Sequence, residues 1–185
     1  MSRMPRKFKP NRQKMRQLIL YISQNCARQS SYGKTKLFKT LYFADSLSFL
    51  HSGEPITGWR YVRLPYGPFP DVIDAELQAM IESKLLQMQI VGGDYLYPLQ
   101  KPVNLKEPDL SEFSPQEIVI VNHVIQELEN LSGTYLSEST HRGAWKFVSQ
   151  GEEIPYESFH LDTHPLTEPE IIRGMEVAGE HGFLA

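Results

Sequence analysis

Residues 36–70 read KLFKTLYFADSLSFLHSGEPITGWRYVRLPYGPFP. Leu37, Leu41 and Ala44 form one row at helical spacing, Phe43, Leu47 and Leu50 a second, and Phe38, Tyr42 and Phe49 a third. A helix apolar nearly all round is a central, buried one. The pattern predicts this helix over residues 35–51, stopped by Ser52 and Gly53. Asp45 lies one turn from Leu41, Tyr42 and Phe49, and an unpaired buried carboxylate is expensive. It therefore bonds a backbone N–H, a tyrosine hydroxyl or an arginine, or it meets a partner molecule. Residues 55–64 carry Ile56, Thr57, Trp59, Tyr61 and Val62, a composition suited to extended chain. Gly58 marks a bulge or a close backbone approach. Pro65, Tyr66, Gly67 and Pro68 form a turn in which Gly67 is placed for positive φ. The stretch holds no nucleophile with a base, no metal-ligand spacing and no phosphate loop, so it points to a surface that binds.

Outward from this unit, Asn11 is a good cap for a first helix running through Leu18, Ile19 and Ile22 to Cys26. A third helix is expected from Pro70 and Asp71, with Ile73, Leu77, Met80 and Ile81 as its buried stripe. Leu86, Met88 and Ile90 alternate with Gln87 and Gln89, and Tyr95, Leu96 and Tyr97 follow a glycine turn, which predicts a hairpin around residues 86–97. Residues 98–113 read as a crossing loop. Ser114, Pro115 and Glu117 make a capping box for a fourth helix reaching Leu131, with Ile118, Val121, Ile125 and Leu128 on one face. Short helical pieces follow at 135–140 and 144–148, and a last helix at 168–179. The prediction is an α+β fold: a mainly helical single domain with short β segments and one hairpin. Residues 1–10 read as a flexible basic arm, 11–160 as the body and 161–185 as a helical extension.

The chain has 185 residues, 41% of them hydrophobic and 11% aromatic, which suffices for a real core. Its one cysteine, Cys26, allows no internal disulfide, and no apolar run approaches membrane-spanning length. With no secretory h-region, a reducing cytoplasm is the expected location. Net charge is −3, yet no acidic residue precedes Asp45, so residues 1–44 carry +11 and residues 45–185 carry 8 − 22 = −14. Such asymmetry fits a basic arm for an acidic partner such as nucleic acid, an arm satisfied by the acidic body, or a solvated tail.

Helices followed by a hairpin resemble a winged helix in coarse order. The helix before the wing, however, carries Asp71, Asp74, Glu76 and Glu82 against Lys84, and phosphate repels such a face. Nucleic-acid contact would fall to Arg6, Lys7, Lys9 and Arg12 of the arm, aided by Lys34, Lys36 and Lys39. His160 and His164 stand four apart, but Pro165 makes their stretch a poor helix for a metal pair. Asp45, His141 and Ser137 or Ser139 lack the surroundings of a catalytic triad. No metal, cofactor or catalytic residue is expected.

The run KLFKTLYFAD, then GEPITGWRYVRLPYGPFP, resembles the Panacea domain, also called the SocA-like antitoxin domain. Thr140, His141, Arg142, Gly143, Ala144 and Trp145, followed by Gly151, Ile154 and Pro155, are similar to its downstream tryptophan segment. The resemblance spans about residues 11–159. It implies a cytoplasmic prokaryotic or phage antitoxin, a non-enzyme that neutralises a cognate toxin by direct protein–protein binding. It also implies that some members act as adaptors to a protease complex. The alternative is a DNA-binding regulator using the basic arm. Tyr42, Asp45, Thr57, Gly58, Tyr61, Tyr66, Gly67 and Pro68 match the family pattern, and conformational roles account for most of them. The partner-contacting candidates are Tyr42, Asp45, Thr57, Tyr61, Tyr66 and Trp145, with Asp71 and Asp74 from the acidic third helix.

Overall fold

A computed structural model of the chain describes residues 6–92, 98–141 and 144–162. In chain order the elements are α1 (Arg12–Cys26), α2 (Lys34–Ser52), β1 (Tyr61–Leu64), β2 (Gly67–Pro70), α3 (Ile73–Glu82), β3 (Leu86–Val91), β4 (Leu99–Asn104), α4 (Pro115–Leu128), α5 (Gly133–Ser139) and α6 (Ala144–Phe147). A 3-10 helix, Tyr156–Asp162, closes the described chain. The expected last helix at 168–179 lies outside the described residues.

Local chemistry explains most boundaries. The Asn11 side chain accepts from the Lys14 N–H and caps α1. Gly53, in the left-handed region at φ 77°, ends α2. Ser114 and Glu117 complete the capping box of α4. The helix α2 is the centre: it packs against α1, α4, α5, β2, β4 and the 3-10 helix. Leu37, Leu41 and Ala44 are fully buried. The row Phe43, Leu47, Leu50 is only half-buried and lines a groove beside α4. On α4 the buried face is Ile120, Val121, Val124 and Leu128, while the expected Ile118 and Ile125 are half-buried.

Two strands were not legible as strands. The segment after the 65–66 turn is β2, which pairs antiparallel with β1, placing Pro70 opposite Tyr61 and Pro68 opposite Arg63. The backbone groups of Tyr61 and Arg63 are used on the other side, by Ile154, Glu152 and Gly151. Both prolines therefore sit in slots that face away from β1, where a missing N–H costs no ladder bond. The hairpin built on β3 returns through β4, inside the stretch expected to be a crossing loop. Residues 95–97, the expected return, lie outside the described residues.

Helix α3 starts at Ile73, later than expected. Asp71 is clamped, its N–H donating to Arg60 O at 2.8 Å and its carbonyl accepting from Trp59 Nε1 at 2.7 Å. Val72 then turns the chain at φ 52°, left-handed for a β-branched residue. Residues 6–10 carry no regular structure but lie on the body. Phe8 packs edge-on against Phe49 and Tyr156, and the backbone N–H of Arg6 donates to Glu157 at 2.8 Å. Gly58, at φ 64°, allows this strap to cross: a Cβ there would lie 3.0 Å from Lys9 O.

Candidate partner-binding site

Asp45 is wholly buried on the inner face of α2 and reaches across to the segment before β1. Its carboxylate accepts from the Thr57 N–H at 2.7 Å, the Thr57 hydroxyl at 2.5 Å and the Tyr61 hydroxyl at 2.7 Å. Burial pushes the Asp45 carboxyl up to about 6, against the downward pull of these donors. Burial and the neighbouring carboxylate raise the Tyr61 phenol. Thr57 O in turn accepts from the Asn11 N–H at 2.8 Å, so one carboxylate ties α2, the β1 approach and the start of α1 together. Tyr42 packs edge-on against Phe43, Tyr61 and Phe159. Of the expected partner contacts, Tyr42, Asp45, Thr57 and Tyr61 thus lie in the interior and build the frame.

The surface that this frame carries is the β1–β2 turn. Lys39, one and a half turns before Asp45 on α2, is itself buried. Its ammonium donates to Tyr66 O at 2.7 Å and Pro68 O at 3.1 Å. With no carboxylate beside it, burial brings Lys39 down to about 7. Gly67 follows at φ 98°, where a Cβ would run into Thr140 and Lys39. The backbone is held from below while the Tyr66 side chain stands 79% exposed. Beside it opens a groove of about 1050 Å³ walled by Lys34, Phe38, Tyr66, Leu99, Glu138 and His141.

Trp145 steadies the far end of β1. Its Nε1 donates to Leu64 O at 3.0 Å, the Arg63 guanidinium lies 4.2 Å from its ring, and His141 stacks on it at 4.2 Å. His141 Nε2 is buried without a hydrogen-bond partner among the described residues.

The charge asymmetry resolves largely within the chain. Arg12 and Arg16 both pair with Glu76, Lys14 with Glu117, Lys34 with Asp74 and Arg6 with Glu54. Lys36 donates to Ser31 and to Glu129 O. Asp71 stands 3.5 Å from Arg60. Of the basic arm candidates, Arg6 and Arg12 are thus engaged, whereas Lys7 and Lys9 are exposed and in no ion pair among the described residues. Glu76 is 2% exposed, and nothing in its spacing separated it from Asp71 and Asp74 as a buried group. Helical phase was the one available signal, since Glu76 lies three residues after Ile73 on the buried side.

Among the described residues no three His, Cys, Asp or Glu side chains converge on a metal-sized site. The His160 side chain and all of His164 fall outside the described parts. Cys26 is free and buried, and burial raises its thiol to about 11. No helix among the described residues is long and apolar enough to cross a membrane.

The family model described as "Antitoxin SocA-like, Panacea domain" matches residues 37–146, more than half of the chain. The matched region includes α2, the β1–β2 turn and α5. No curated protein matches the chain.

Proposed function

Because the chain belongs to the SocA-like antitoxin family of Panacea-domain proteins, we propose that it is an antitoxin that neutralises a cognate toxin protein by direct binding. It acts by occupying a surface of the toxin, without catalysis, cofactor or metal. The observation that supports this reading most is the Tyr66 turn. An exposed aromatic on a backbone fixed by Lys39, Gly67 and the Asp45 network is a preorganised anchor, and such anchors lose little entropy on binding. The adjoining groove offers apolar walls with Lys34, Glu138 and His141 as polar points, enough to seat a loop or extended segment of a partner.

The internal ion pairs of Arg6, Arg12, Lys14, Arg16 and Lys34 favour a protein partner over nucleic acid, because those cations already have carboxylates. Delivery of the bound toxin to a protease is a further step that the same surface arrangement permits.

Co-expression with a small toxic protein encoded beside this one tests the proposal. Growth should be rescued and the two proteins should co-elute on gel filtration. Rescue with falling toxin levels in a protease-competent host, and steady levels in a protease-deficient one, would identify the adaptor role. Absence of both rescue and complex would end the antitoxin reading.

A further inference from the structure

We propose that residues 168–179 of this chain dock as a helix in the apolar groove between α2 and α4. The groove encloses about 240 Å³ and is lined by Phe43, Leu47, Leu50, Val124, Leu128 and Phe159. Its α2 wall is the one apolar row of the central helix that the described residues leave half-buried. An exposed stripe of this kind on an otherwise buried helix marks a missing neighbour.

Three observations name the neighbour. The first is where the chain goes. Phe159 is itself part of the groove wall, and the described chain ends three residues later at Asp162. Residues 163–167 then span at most ~17 Å, so the following segment starts within reach of the groove and cannot travel far from it.

The second is the segment's own sequence. Thr167, Glu168, Pro169 and Glu170 form a helix start, with Thr167 as cap, Pro169 in the first turn and Glu170 placed to reach back. Ile171, Met175 and Ala178 then recur at i, i+4 and i+7. Phe43, Leu47 and Leu50 have the same spacing on α2, so the two rows run the same length, ~10 Å, and can pack side by side. Arg173 and Glu176 fall on the opposite face, toward water.

The third is that this helix needs a partner. It is short, and Gly174 in its interior costs ~1 kcal/mol relative to alanine. Such a segment does not hold helical structure alone in water. Docking would stabilise it and cover the groove at once. His123 and Glu127, exposed along the α4 rim, leave the mouth polar while the floor stays apolar. The inference stands independently of the antitoxin reading, since it uses neither the Tyr66 turn nor a toxin.

The test uses the full-length chain with paired cysteines, Leu47→Cys with Met175→Cys. Cys26 is buried and does not compete. Mild oxidation or a short bis-maleimide should link positions 47 and 175 within one molecule, seen by intact mass and peptide mapping. The pair Val119→Cys with Met175→Cys should link poorly, because Val119 is exposed on α4 and does not line the groove. In the single variant Leu47→Cys, thiol labelling should quicken ~10-fold or more when Ile171→Asp and Met175→Asp are added, as a cover is lost. Leu50→Cys serves in place of Leu47→Cys if the latter folds poorly. Equal linking of both pairs, linking only between two molecules, or a labelling rate indifferent to Ile171→Asp and Met175→Asp would overturn the proposal. Protection of position 47 that appears only when a toxin is added would overturn it too, by giving the groove to the partner.

Discussion

The Lys39 ammonium lies 2.7 Å from the carbonyl oxygen of Tyr66, so a buried cation on the central helix holds the backbone beneath the exposed Tyr66 ring. A charge kept out of water with two carbonyls and no counter-ion is a poor way to gain stability. It is a good way to fix a turn, because the donors converge on the Tyr66 and Pro68 carbonyls that face away from the β1 ladder.

Lys39 should therefore leave a mark on the pH dependence of stability. Burial lowers its proton affinity to about 7 in the folded chain, while the unfolded chain titrates near the ordinary lysine value of ~10.4. Between those values the unfolded chain holds more protons, so stability rises with pH from about 7 upward. Urea unfolding from pH 7 to 10 should show this rise in the native protein and lose it in Lys39→Met. The same variant should speed amide exchange at residues 65–68.

Asp45 has the opposite sign. Its folded value of about 6 lies above its ordinary value of 3.8, so the folded chain holds more protons between them. The stability from this group is complete below about 4 and is lost as pH rises through about 6, by roughly 3 kcal/mol for a shift of this size. Asp45→Asn should abolish that slope. A slope unchanged in the variant would mean that another group carries it.

Glu76 separates folding from binding on α3. Glu76→Lys places a cation against Arg12 and Arg16 in a site 2% exposed, and should cost about 3 kcal/mol or more. Asp71→Lys with Asp74→Lys changes partly or well exposed positions and should shift stability by no more than ~1 kcal/mol. Thermal melts of the two variants check this, and only the second is fit for mapping a partner surface.

Val72→Gly should stabilise the protein by ~1 kcal/mol, because Val72 is 65% exposed and sits at φ 52°, where a β-branched residue is strained. A denaturation midpoint lower than that of the native protein would contradict this.

What was legible in the sequence follows from how local each signal is. The caps at Asn11 and Ser114 and the stop at Gly53 depend on residues within a turn, and all appear as read. The burial of α2 followed from its own three rows. The strands β2 and β4 were hidden because Pro68, Pro70 and Pro102 argue against a strand until its partner is known. In a two-stranded ribbon alternate backbone groups lie outside the ladder, and at Pro68 and Pro70 the structure uses those slots. At the site, Asp45 could be seen to need donors, but Thr57 and Tyr61 could be named as those donors only once the chain was folded. Lys39 was counted with the basic surface. Its burial depends on the turn at 65–68 closing over it, a contact across 27 residues that no local pattern announces.

The most direct test of the account is the toxin affinity of Tyr66→Asp, measured by titration calorimetry beside the native protein. Tyr66 is exposed, so the melting temperature should stay within a few degrees. The account predicts that affinity falls at least ~30-fold, a loss of ~2 kcal/mol expected of an aromatic anchor, with rescue of growth lost in parallel. Native affinity in Tyr66→Asp, with the fold intact, would contradict the placement of the partner at the β1–β2 turn.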